Sequence, residues 1–299
     1  MMIDQQMTMF EIPARDTKKT VVNVSSIPQR SPFRYPGGKT WLIPVVRQWL
    51  KQKTKAHLLI EPFAGGGIVS LTAAFEKLAD HITMVEMDPE IAAVWEVLLS
   101  DKNKWLADKI FSFDLNYSNI KTEFDKPDKQ LHDIAFCTIL KNRIYHGGIL
   151  AKGSGMIKNG ENGKGLASRW YPKTLHDRIL AIEFVKNRIN FITGDAFDII
   201  GQNLNSTEAY FFIDPPYTVA GKRLYTCFDV DHERLFSLAA QLSGKFMLTY
   251  DDTTEIRQLA DKYNLQFRTI PMKTTHHLNK TEILISDNFD WWNEDHNIF

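Results

Sequence analysis

The sequence predicts an α/β protein built on an open, Rossmann-like sheet, and three observations lead there. Short apolar runs alternate with amphipathic helical stretches in both halves of the chain. The first run, 57–61, enters the glycine-rich turn Pro62-Phe63-Ala64-Gly65-Gly66-Gly67 and then a helical stretch, as a nucleotide-binding unit opens. A later run, Tyr210-Phe211-Phe212-Ile213, ends in Asp214-Pro215-Pro216-Tyr217. Ligands of open α/β sheets bind at the carboxyl ends of the strands, so both turns stand where a site is expected.

With 299 residues the chain can bury a sizeable core, as one large domain or one domain with an insertion. Its 43% hydrophobic and 24% charged residues are ordinary for a soluble protein. No apolar run approaches membrane-spanning length, and residues 1–30 lack the apolar stretch of a secretory signal. A reducing cytoplasm is therefore expected. Cys137 and Cys227 offer neither a disulfide framework nor zinc-ligand spacing. The formal net charge is zero, but it is unevenly spread. Residues 28–55 hold seven Lys/Arg and no Asp/Glu; residues 141–188 hold ten against three. Basic blocks in a neutral chain suit a local phosphate-contacting face, though two solvated helix faces would read the same way.

Taken in order, residues 1–30 show no strong periodicity and read as an arm. Phe33-Arg34-Tyr35-Pro36-Gly37-Gly38-Lys39 is a turn that opens an amphipathic helix over 40–52. Lys39 can reach a carboxylate or phosphate there, but the upstream glycine of a Walker loop is missing. Strand 57–61, the glycine turn and helix 68–78 follow. The next strand, 81–86, ends in Glu86 with Asp88 just beyond. An acid at that position takes ribose hydroxyls in nucleotide-binding sheets.

Residues 102–188 interrupt the alternation and are too long for one connection. A helix is expected over 133–143. A basic, glycine-rich stretch follows, then Arg169-Trp170-Tyr171-Pro172 and a helix to about residue 187. The stretch reads as an inserted unit suited to wrapping a polyanion. Strand 190–193 restores the sheet, and Asp195 at its end can accept from the amino group of an adenine. After the Asp214 turn, residues 218–231 form a polar loop carrying Lys222, Arg223 and Tyr225. A helix over 232–242, a strand over 245–250, a helix over 254–263 and a final antiparallel pair, 266–270 with 282–286, complete the chain. His276 and His277 are adjacent and face apart, and no metal site is expected.

The Asp214 turn has its own chemistry. Two prolines fix φ and remove two backbone donors. Asp214 and the Pro215 carbonyl offer acceptors, and Tyr217 a ring for stacking. That combination suits a planar amino-purine or amino-pyrimidine.

Together, Phe33 to Lys39, Glu61 to Gly67, Glu86, Gly194-Asp195 and Asp214 to Tyr217 resemble, in that order, the Dam-like, D12-class, α-group DNA adenine methyltransferases. The resemblance covers roughly 31–100 and 190–287. It implies a Rossmann-like S-adenosylmethionine-dependent methyltransferase sheet with an inserted, mainly helical target-recognition domain. On that reading 1–30 is an arm, 31–100 and 189–299 form the catalytic domain, and 101–188 recognises the target. Tyr35, Lys39, Phe63, Gly65, Gly67, Glu86, Asp195 and Asp214 then belong to the cofactor site, with Glu86 where many relatives carry Asp. Asp214, Pro215 and Tyr217 match the catalytic loop. Asn142-Arg143 resembles a pair in the family's recognition domain; with Lys152, Arg169, Lys222 and Arg223 it makes the expected DNA-contacting set. Gly147-Gly148-Ile149-Leu150 does not match the residues that read GATC in Dam.

The implied reaction flips an adenine out of duplex DNA and moves a methyl group to its exocyclic amine, with Tyr217, Phe33 or Tyr35 stacking on the base. The family also admits a cognate restriction endonuclease as partner. A cytosine exocyclic-amine methyltransferase would usually carry Ser in place of Asp214. RNA or protein-glutamine methylation usually has Asn there. A non-catalytic DNA-binding regulator would carry damaged loops. A dinucleotide dehydrogenase would need the G-x-G-x-x-G spacing that Gly65-Gly66-Gly67-Ile68-Val69-Ser70 lacks.

Overall fold

The computed structural model describes residues 26–52, 55–160, 163–217, 225–227, 229–273 and 279–292. Most of the arm, Lys222, Arg223, His276 and His277 lie outside the described residues. A 3₁₀ turn, Lys39–Leu42, leads into α1 (Ile43–Leu50). The helix expected from residue 40 becomes regular only there, because Pro44 has no N–H to give the Thr40 carbonyl. β1 (Ala56–Glu61), α2 (Ile68–Glu76), β2 (Ala79–Glu86) and α3 (Pro89–Leu99) follow. Asp88 starts α3 by accepting from the Glu90 and Ile91 N–H groups, with Pro89 in the first turn.

The insertion is helical: α4 (Asn103–Ser112), α5 (Tyr117–Asp125), α6 (Leu131–Ile144) and α7 (Pro172–Ile182). A capping box of Gln130 and Asp133 opens α6. The helix expected to reach residue 187 ends at Ile182, where the chain tightens into i→i−3 bonds that carry Val185 into the core. α3 packs on α6 and α4 on α7, and their buried faces join one apolar cluster with α1, α2 and one face of the sheet. The insertion thus shares its core with the strand-bearing half. At the arm's end, Ile27 is buried and Arg30 pairs with Glu76.

The second half supplies β3 (Ile189–Thr193), α8 (Ala196–Gln202), β4 (Ala209–Ile213), α9 (His232–Ala239), β5 (Lys245–Asp251), α10 (Thr254–Lys262), β6 (Gln266–Lys273) and β7 (Asn279–Ser286). The seven-stranded sheet has the order β3-β2-β1-β4-β5-β7-β6. The first five strands are parallel, and β7 enters antiparallel to both β5 and β6. This is the expected Rossmann-like sheet. β4 lies near its centre and is buried along its whole length, which explains an unbroken apolar run in place of alternation. Strand order reverses between β1 and β4, which run parallel, and this switch point opens a crevice at their carboxyl ends. Among the described residues no helix is long and apolar enough to cross a membrane.

Candidate active site

A cavity of about 540 Å³ occupies that crevice. The turns after β1, β2, β3 and β4 wall it, so Glu61, Glu86, Asp195 and Asp214 all reach it from strand ends. The segment from Ser31 to Lys39 forms the opposite side; α6 contributes Arg143, α7 Arg178, and the 3₁₀ turn Gly165–Arg169 before α7 contributes Arg169.

The glycine turn is held at its backbone. Gly65 donates its N–H to Glu86 Oε2 at 2.9 Å, and its carbonyl accepts from Trp95 Nε1 at 2.8 Å. Gly65 has φ +46°, and a Cβ there would lie 2.6 Å from the Tyr35 ring, so the turn cradles that ring only as glycine. Gly67 has φ +60° and starts α2; a Cβ would meet Met84 and Trp95 at 2.6 Å. Trp95 is buried in the core and also ties the turn to α3. Tyr35 stacks on Tyr225 with centroids 5.6 Å apart, and the Tyr225 hydroxyl donates to the Pro36 carbonyl at 2.8 Å.

Two carboxyls here are nearly buried. Glu86 also accepts from the Met87 and Asp88 N–H groups, each at 2.9 Å. Burial pushes its pKa up to about 7 against these bonds, and the Asp88 charge adds to the rise. Glu61 accepts from the Ser70 N–H at 2.9 Å, and burial pushes its pKa up to about 8, helped by the Asp214 charge. Asp195 is exposed and caps α8 through the Phe197 N–H, while Phe63 packs edge-on against Phe197.

Asp214 stands between two fixed donors. Lys39 Nζ lies 2.9 Å from its Oδ1, and Thr249 Oγ1 donates to the same oxygen at 2.6 Å. Oδ2 takes no hydrogen bond from the described residues. Lys39 is almost wholly buried, also reaches Glu282 at 3.8 Å and donates to the Gly37 carbonyl at 2.9 Å. Burial lowers the Lys39 pKa, but the two carboxylates outweigh it and leave it raised. Register explains Thr249: Ile213 pairs with Leu248 across β4 and β5, so the next residues meet. Glu282 arrives on β7, opposite Asp251.

Tyr217 differs from its expected position. Its ring stacks on Tyr250 at 5.6 Å, its hydroxyl donates to Glu282 at 2.9 Å, and it is not among the residues lining the cavity. The buried acceptor on β7 and the aromatic on β5 draw the side chain behind Asp214. Neither partner is close in sequence. Tyr35 and Tyr225 are the tyrosines of the turn region that face the cavity.

Asn142 is also placed differently from a DNA contact. Fully buried, it accepts from the Arg34 N–H at 2.8 Å and donates to the carbonyls of Arg34 at 3.0 Å and Gly148 at 2.8 Å. Its amide is spent on clamping the backbone just before Tyr35. Arg143 and Arg169 line the cavity; Lys152 is exposed and away from it. Sequence reasoning missed Glu61, Thr249 and Glu282 as site residues, and gave Tyr225 no role beyond its loop. Glu61 is visible locally as the head of the Glu61 to Gly67 block, and Glu282 as a carboxylate heading the apolar run 282–286; nothing local marks Thr249.

No curated protein matches the chain in sequence. Among solved structures, the rRNA methyltransferase AviRa from Streptomyces viridochromogenes is similar at 14% identity and TM-score 0.36, covering 82% of this chain and 84% of that one. Precorrin-6y C5,15-methyltransferase from Geobacter metallireducens is similar at 10% identity and TM-score 0.35, covering 82% and 85%. Residues 35–277 match the family model described as D12 class N6 adenine-specific DNA methyltransferase. That span runs from Tyr35 through the glycine turn and Glu86 to the Asp214 turn. The chain therefore belongs to the D12 class N6 adenine-specific DNA methyltransferase family, whose members methylate adenine in DNA with S-adenosylmethionine as the implied donor.

Proposed function

We propose that the protein flips an adenine out of duplex DNA into the cavity and methylates its exocyclic amine. The observation that carries this reading is the Asp214 carboxylate at the cavity wall, pinned through Oδ1 by Lys39 and Thr249, with a second oxygen, Oδ2, that accepts from none of the described residues. An amine has two hydrogens to place. Oδ2 accepts one of them, and the nitrogen lone pair is turned toward the incoming methyl; Pro215, expected to accept the other, is buried and is not among the residues lining the cavity. The negative charge at Asp214 favours the positive charge that develops on the nitrogen, and the carboxylate is already oriented before reaction. Oδ2 is also placed to accept the proton that the methylated amine sheds. Tyr217 supports Asp214 from behind through Glu282 and Lys39, and Tyr35 and Tyr225 offer the aromatic surfaces.

The residues present fit S-adenosylmethionine. Bound there, it supplies an electrophilic sulfonium methyl. Glu86 and Asp195 stand at adjacent strand ends, β2 and β3, where acceptors meet a ribose and an adenine. The glycine turn, Phe63, Tyr35 and Lys39 line the remainder, and Glu61 gives a buried acceptor for an ammonium. On this reading 31–100 and 189–299 carry the chemistry, and 101–188 reads the target.

The test is methyl transfer from labelled S-adenosylmethionine to unmethylated duplex DNA, followed by digestion to nucleosides. Label in N6-methyladenine supports the reading. Label in methylcytosine, or none despite cofactor binding by calorimetry, overturns it.

A further inference from the structure

One wall of the cavity carries several charges of a single sign that the methyl-transfer chemistry does not use. Arg34, Arg143 and Arg178 line it, with Arg169 alongside. Arg143, on α6, is only 3% exposed; one of its N–H groups donates to the Pro32 carbonyl, and its Nε has no partner. Arg178, on α7, is half-buried and donates to the Ser31 carbonyl at 3.2 Å. Arg34 is half-buried, and its backbone is clamped by Asn142. Among the described residues none of these three guanidiniums forms an ion pair with a carboxylate. Burial pushes the Arg143 pKa down to about 9, and the charges of Arg178 and Arg34 push the same way.

Gathering like charges and burying one of them is costly unless something neutralises them. The frame that gathers them is rigid: Asn142, Arg143 and Arg178 all grip backbone between Ser31 and Arg34. Unspent guanidinium donors on a fixed frame match the oxygens of a tetrahedral anion. The wall also opens outward, since neighbouring Tyr171 is 47% exposed and Arg34 and Arg178 reach solvent. A polymer strand can pass such a rim.

We infer that Arg34, Arg143 and Arg178 form a preorganised site for a phosphodiester, one backbone phosphate of the DNA strand that enters the cavity. This rests on the cavity being the methyl-transfer site. A phosphodiester fits better than the cofactor's carboxylate because the wall opens outward past Tyr171, Arg34 and Arg178, where a continuing polymer strand can pass.

The experiment titrates the full chain against a fluorescent, unmethylated 30-base-pair duplex over a range of salt, by anisotropy. Arg178→Gln and Arg34→Gln should each weaken binding about 5- to 30-fold at 0.1 M salt and lower the log–log salt slope by about one. Arg143→Lys should keep most of the slope while losing affinity, because it keeps the charge and loses the fork. S-adenosylmethionine binding to Arg178→Gln, measured by calorimetry without DNA, should stay within about twofold. Unchanged DNA affinity and slope in both glutamine variants overturns the site. So does a fall in cofactor affinity with the DNA slope intact, which would assign the anion to the cofactor. Wild-type methyl transfer to the same duplex, run in parallel, separates the two readings. Adenine methylation by the wild type with unaltered variant slopes defeats the phosphate site alone, whereas a wild type that neither binds nor methylates the duplex defeats both.

Discussion

Lys39 Nζ sits 2.9 Å from Asp214 Oδ1, and the lysine is buried between that carboxylate and Glu282. The residue ending the first motif and the residue opening the last loop of the site are thus one ion pair, although 175 positions separate them. Both face the cavity, so the pair links the group that holds the amine to the turn that precedes α1.

Asp214→Ala removes the carboxylate that the proposed mechanism aims at the amine. Methyl transfer should fall by about 10³-fold or more, as for loss of a preorganised electrostatic group. Circular dichroism should stay native, and cofactor binding should persist. Single-turnover transfer to duplex DNA gives the number; near-normal turnover would refute the assignment.

Lys39→Met leaves Glu282 and Asp214 facing each other without their counter-charge. Breaking a buried pair this way costs about 3–5 kcal/mol. Burial and the Asp214 charge already raise the Glu282 pKa, while Lys39 opposes the rise. Without Lys39 the native state takes up a proton more readily as pH falls, so the variant should regain stability toward acid. Urea unfolding at pH 8 and pH 5.5 checks both points, and a deficit that is the same at the two pH values contradicts them.

Glu61 and Glu86, with pKa values raised to about 8 and about 7, shape the pH dependence of the wild type. Each holds its proton more tightly folded than unfolded, so the native state binds more protons between the two pKa values. Their contribution is present in full below about pH 4.5 and is lost as pH rises through 7 and 8. The melting temperature should fall from pH 5 to pH 8.5, and Glu61→Gln should flatten that fall. A parallel curve for the variant would remove Glu61 as a cause.

Asn142→Ala should act first on stability. Three hydrogen bonds, one buried and two partly buried, vanish and the Arg34 N–H loses its acceptor, at about 1–3 kcal/mol for the stranded groups. Because the clamp precedes Tyr35, cofactor affinity should fall with it. Equilibrium denaturation and calorimetry report the two effects; a stable variant with weakened DNA binding alone would restore Asn142 as a DNA contact.

The chain's own pattern determined the order of motifs along the chain, the helical insertion and the turns that carry Glu86, Asp195 and Asp214. Those features are local. A buried strand must be apolar, a turn with φ above zero must be glycine, and a stiff acceptor loop needs its prolines. Tertiary structure decided which way Tyr217 turns, because its partners, Tyr250 and Glu282, come from β5 and β7 and meet it only once the sheet is paired. It also made Asn142 a clamp and gathered Arg34, Arg143 and Arg178 on one wall, since the helices of the insertion share a core with the first half of the sheet. A side chain's residue type travels with the sequence. Its partner is set by packing between segments far apart in the chain, and no local periodicity encodes that.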